Sequence, residues 1–86
     1  MAVRERRQEE AERQAVAEAE MEQYCAAHPR SPAAVRRPRI LLRGSSCVAL
    51  LGSTLQEGVA GIGSTVDAAL RAFDLQYRNS LRPPQG

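Results

Sequence analysis

From Leu51 onward the apolar positions keep a helical rhythm. Leu51, Leu55, Val59, Ile62, Val66, Ala69, Leu70, Phe73, Tyr77 and Leu81 follow one another at steps of three, four or, once, one residue. On a helical wheel they fall within an arc of about 120°, the width of a core-facing stripe. Val48 extends the stripe backwards, and no long run shows the period of two that a half-buried strand requires. The spacing predicts a helix over about 47–81, with a break admitted near 61–63 and a stop at Pro83 and Pro84. Thr54-Leu-Gln-Glu57 and Ser64-Thr-Val-Asp67 each resemble a capping box. The glycines at 52, 58, 61 and 63 oppose this reading, each costing about 1 kcal/mol against alanine inside a helix. A second stripe offsets them: Thr54, Gly58, Gly61, Thr65, Ala68 and Ala72 line the other side of the wheel with small residues, a surface that lets another backbone approach closely.

Upstream, residues 2–27 are rich in Ala, Glu, Gln and Arg and lack Gly and Pro, which predicts a helix. Glu9 and Arg13 form an i,i+4 pair in the favourable order. The few apolar residues (Val3, Val16, Met21, Tyr24) scatter around the wheel, so the helix reads as solvated, or as a coiled-coil arm awaiting a partner. In residues 28–39 the three prolines, Pro29, Pro32 and Pro38, oppose helix and favour extended backbone. For 40–51 two readings compete. In one, Ser45 or Ser46 caps a helix starting at Cys47; in the other, Ile40-Leu-Leu-Arg-Gly and Cys47-Val-Ala-Leu-Leu pair as a short β-hairpin around Arg43-Gly-Ser-Ser, followed by a helix. The expected fold class is all-α: a charged helical arm at 1–27, a Pro/Arg-rich linker at 28–44, an amphipathic interaction segment at 45–82 and a disordered tail at 83–86, with the hairpin as the alternative.

Composition narrows the function. Eighty-six residues make one domain at most, and three aromatics supply few core anchors. The net charge of +2 conceals three blocks: net −3 over 1–29 (four Arg, seven Glu), +5 over 30–43 (five Arg, no acid) and 0 over 44–86 (three Arg, three acids). Cys25 and Cys47 are isolated and His28 stands alone, so a zinc site is not expected and the cysteines read as reduced thiols. The N-terminus has no apolar signal core, and its glutamates argue against a mitochondrial presequence. Residues 44–66 carry a single charge, but Gln56-Glu57 near their middle and several Ser and Thr make a membrane span unfavourable. No hydrolase elbow, Walker loop or Cys–His pair is present. Gly58-Val-Ala-Gly-Ile-Gly63 matches neither glycine-rich phosphate fingerprint. Asp67 and Asp74, two turns apart among arginines, read as solvated. No catalytic residue, cofactor or metal is expected.

The basic patch Arg36, Arg37, Arg39 and Arg43 lacks interleaved aromatics, which makes nucleic acid an unfavoured partner. It also suits a nuclear-import patch, and Arg39-Ile-Leu-Leu42 is similar to a cyclin-docking RxL motif. Ser31 before Pro32, and Ser46 after Arg43, are candidate phosphosites. The function expected is a small non-catalytic helical adaptor or assembly subunit, in the cytoplasm and/or nucleus. It docks on a protein partner, or on its own copies, through the face made by Leu51, Leu55, Val59, Ile62, Val66, Leu70, Phe73 and Tyr77. The motive is a long stripe in a chain too short to cover it. The alternatives are an organellar membrane-associated protein using the Gly/Ala face, then a nucleic-acid-linked accessory factor using the arginines.

Overall fold

The apolar run at 40–51 turns back on itself at Gly44. In the computed structural model, which describes residues 2–81 and the side chains of 6–81, Gly44 and Ser45 link two antiparallel strands, β1 (Arg39–Arg43) and β2 (Ser46–Leu51). Gly44 has φ +57°, and a positive φ at the first position of a two-residue loop matches the twist of the strands it joins. A third strand, β3 (Val59–Gly63), pairs with the free side of β2, giving an antiparallel sheet in the order β1-β2-β3. Three helices complete the chain: α1 (Ala2–Ala27), α2 (Pro32–Arg36) and α3 (Val66–Ser80).

The fold is therefore α+β, which corrects the all-α expectation and its single helix over 47–81. The hairpin alternative lies nearer, although it lacks β3. The tail at 83–86 lies outside the described residues. Pro32, read as opposing helix, instead starts one: it sits in the first turn of α2, where a missing N–H costs nothing. Ser31 caps that helix, its Oγ accepting from Ala34 N–H at 3.2 Å. Thr65 caps α3 in the same way, accepting from Ala68 N–H at 3.1 Å, and Asp67 in the first turn complements the helix dipole.

α1 and α3 pack on one face of the sheet, and α2 packs against those two helices on the same side. Side chains alternate along a strand, so Ile40, Leu42, Cys47, Ala49, Leu51, Val59 and Gly61 share that face. They meet Val66, Ala69, Leu70 and Phe73 of α3, Ala33 of α2, and Ala17, Met21, Tyr24 and Cys25 of α1. Leu70 and Phe73 are the largest fully buried side chains. The C-terminal part of α1 is thus in the core rather than solvated throughout, while residues 6–13 are exposed.

Two contacts set this packing. The first is at Gly61, where a Cβ would run into the backbone N of Phe73 and the carbonyl O of Ala69. At Gly63 a Cβ would come within 2.6 Å of the Ala68 Cβ. The α3 backbone lies directly on β3 because these two positions have no side chain. The second contact is Asp74, buried at 6% exposure on α3. Its Oδ2 accepts from the Tyr24 hydroxyl of α1 at 2.6 Å, and its Oδ1 accepts from the Ala33 N–H of α2 at 2.8 Å. One carboxyl group joins all three helices, so the expectation of a solvated Asp74 is corrected. Burial pushes the Tyr24 phenol far above its ordinary value, and the hydrogen bond to Asp74 and its charge push it further.

Gly61→Ala is expected to destabilise the fold by about 3 kcal/mol or more, since backbone rather than a movable side chain occupies the space. Urea denaturation of the variant checks this, and an unchanged midpoint would refute it. For Tyr24, a raised pKa in the fold means stability that is intact below the unfolded value of about 10 and lost as pH climbs beyond it. In a Tyr77→Phe chain, tyrosinate absorbance should appear together with loss of circular dichroism. Ionisation near pH 10 with the fold intact would sink the assignment. Tyr24→Phe leaves Asp74 short of a donor and should cost about 1–3 kcal/mol at neutral pH.

Candidate functional site

With every helix on one side, the other face of the sheet carries Arg39, Leu41, Arg43, Ser46, Val48, Leu50, Ala60 and Ile62. Leu41, Val48 and Ile62 line up across the three strands. Val48 and Leu50, on the central strand, are buried yet stand apart from the main core cluster. Their cover comes from the flanking strands and from the 52–58 loop: a Cβ at Gly58 would lie 3.2 Å from the Leu50 Cδ1. Thr54 shapes that loop, its carbonyl accepting from Gly58 N–H at 2.8 Å and its Oγ1 from Glu57 N–H at 3.1 Å. Ile62 is 60% exposed and Leu55 in the loop is 50% exposed. This face is a small second apolar cluster without a helix over it.

The candidate residues read from the helical stripe divide between the two sides. Val66, Leu70 and Phe73 are buried in the protein's own core, and Leu51, Val59 and Tyr77 pack partly buried against it. Leu55 and Ile62 remain exposed, Ile62 on the uncovered sheet face and Leu55 in the loop before β3. The stripe is therefore covered from within, which removes the premise that the chain is too short to cover it. The small-residue positions also separate: Thr54 and Gly58 belong to the loop, Gly61 to β3, Thr65 to the cap of α3, and Ala68 and Ala72 to α3 itself. Close backbone approach does occur at Gly61, between strand and helix.

The arginines do not form one patch. Arg36 Nε donates to the Tyr77 hydroxyl at 2.7 Å and its guanidinium lies over the Tyr77 ring. Arg37 pairs with Glu22 of α1, which holds the Glu22 carboxyl below its usual range. Arg39 donates to the Gly52 carbonyl at 3.3 Å, and Arg43 sits exposed at the hairpin turn. Arg39 and Arg43 thus flank Leu41 along β1 on the uncovered face, and neither makes an ion pair among the described residues. The outer edge of β1 is partly shielded by α1, whose Gln14 Nε2 donates to the Ile40 carbonyl at 2.8 Å.

Of the candidate phosphosites, Ser31 is buried with its hydroxyl engaged in the α2 cap, and Ser46 begins β2 half-buried rather than capping a helix. Both cysteines are free; burial pushes the Cys25 thiol up and keeps it in its neutral form. No group of His, Cys, Asp and Glu among the described residues is placed to hold a metal ion. No helix among them is long and apolar enough to cross a membrane. Sequence reasoning singled out Asp74 but read it as solvated, because its partners Tyr24 and Ala33 lie 50 and 41 positions away, beyond any local signal. No protein-family model matches the chain, and neither the curated proteins nor the solved structures provide a match.

Proposed function

We propose that this protein is a small non-catalytic adaptor or assembly subunit, and that the uncovered sheet face is where it takes its partner. The observation that carries the reading is Ile62, a large apolar side chain left exposed at the edge of a sheet face that has no helix over it. A sheet face covered only by a loop, with a large apolar side chain still in water, gains by burying it against a second layer. Three strands present a face about 10 Å across, which suits a single helix of about the same diameter. Arg39 and Arg43, standing either side of Leu41, supply the charge complement. The occupant is therefore an amphipathic helix of another protein, its apolar stripe on the exposed Ile62 and half-buried Leu41 and its acidic side chains on the two arginines. A cytoplasmic or nuclear setting belongs to this reading, supported by the two free thiols.

Ile62→Asp should abolish partner capture by the tagged full chain without altering its circular dichroism, because the side chain is already solvated. Arg39→Glu with Arg43→Glu should weaken capture at least about tenfold and remove its dependence on salt. Leu81→Asp, an exposed apolar site at the end of α3, is the control and should leave capture intact. An identical set of captured proteins from the wild-type and Ile62→Asp chains would overturn the proposal.

A further inference from the structure

A second feature, on the helical side of the molecule, points to a ligand of different chemistry. Arg71, Asp74, Leu75 and Arg78 follow one another at spacings of three, one and three along α3, so they share a face. That face confronts the end of α1 and the turn that follows, with Tyr24, His28, Pro29, Arg30 and Ser31. Between them lies an open cleft of about 530 Å³.

The charge of the cleft is one-sided. Its lining holds three arginines, Arg30, Arg71 and Arg78, against one acid, Asp74. Asp74 is already committed inward, one oxygen to the Tyr24 hydroxyl and the other to the Ala33 N–H. Arg71 pairs with Asp67 at 2.7 Å, but both side chains are largely exposed, and such surface pairs hold little energy against a competing anion. Arg30 and Arg78 have no ion-pair partner among the described residues. The groove on the other side of α1 has the opposite character, rimmed by Glu9, Glu12 and Glu20 against the single Arg13. The cationic cleft is thus a local concentration rather than an effect of the chain's arginine content.

The cleft also has an apolar side. Leu75 is 59% exposed there, Pro29 faces it, and the Tyr24 and His28 rings meet at a tilt of 47° with centroids 4.6 Å apart. Guanidinium forks match phosphate oxygens two at a time, and carry their charge at every physiological pH. We propose that this cleft binds a small organic phosphate. Its phosphate group is held by Arg30, Arg71 and Arg78, and its apolar or ring portion lies on Leu75 and Pro29. The proposal is independent of the sheet face, which lies on the other side of the sheet from the helices.

Amide chemical-shift titration of the full chain tests it, with inorganic phosphate, pyrophosphate and phenyl phosphate as probes against sodium chloride of equal ionic strength. The expected result is saturable binding with shifts confined to residues 28–31 and 71–78, tighter for phenyl phosphate than for inorganic phosphate. Arg30→Gln and Arg78→Gln, both at exposed positions, should each weaken phenyl phosphate at least about tenfold while circular dichroism stays unchanged. Leu75→Ser should erase the advantage of phenyl phosphate over inorganic phosphate. Arg43→Gln, on the opposite face of the sheet, should change nothing. Unsaturable shifts, shifts spread over the arginines generally, or affinities unaffected by Arg30→Gln and Arg78→Gln would overturn the proposal.

Discussion

The contact between the α3 backbone and the bare Cα positions of Gly61 and Gly63 governs the rest of the architecture. A helix resting on ordinary side chains stands about 10 Å from a sheet, whereas one resting on glycines sits closer and brings its own flanking side chains down beside the strand. Leu70 and Phe73 thereby reach full burial in a chain that has few large apolar residues. Ala49, opposite Gly61 on β2, continues the depression, and it too is fully buried. Small residues on the strands and large ones on the helix are complementary halves of one packing solution. The glycines cost conformational entropy, and the close packing they permit offsets it.

Once α3 is seated, Asp74 fixes the remaining helices relative to it. A buried carboxylate is unfavourable unless its oxygens are satisfied. Here the satisfaction comes from two separate elements, the Tyr24 hydroxyl and the Ala33 N–H, so the arrangement is met only when α1 and α2 are both in place. The same anchoring sets the separation between the end of α1 and the outward face of α3, and hence the width of the arginine-lined cleft.

The helical rhythm from Leu51 to Leu81 has two physical sources that mimic one. Over Val66–Ser80 it is a true helix, and its stripe is the core face. Over 51–62 the spacing is accidental: Leu51 and Val59 are opposed across β2 and β3 on the core side, Leu55 lies in a loop, and Ile62 points the other way. Alternation was hidden in β2 because both faces of that strand are apolar, Cys47, Ala49 and Leu51 on one side and Val48 and Leu50 on the other. It was hidden in β3 because glycines occupy core-facing positions. The legible signals were the Gly44-Ser45 loop between two apolar runs and the polar, glycine-bounded stretch 52–58. The N-terminal helix was legible from propensity alone. The exposed Leu55 and Ile62 were singled out for a helical stripe that does not extend to them, yet of the docking face read from it they are the members that remain most open to solvent.

The helix-free sheet face follows from the same arithmetic of apolar residues. Two layers need apolar positions on one side of each strand, and β2 has them on both. Val48 and Leu50 are buried by the flanking strands and the 52–58 loop, which leaves Ile62 exposed and Leu41 half-buried as the apolar surface this architecture does not use. The two flanking positions on β1 that a solvated face would make polar are both arginine, and none on that face is acidic. A face selected only for solubility has no need of aligned large apolar residues across three strands with cations at one margin alone. Burial on one side of the sheet and retained apolarity on the other are consistent if the second side is covered in the assembled state. Leu41 and Ile62 then play toward a partner helix the part that Leu42 and Val59 play toward the protein's own core.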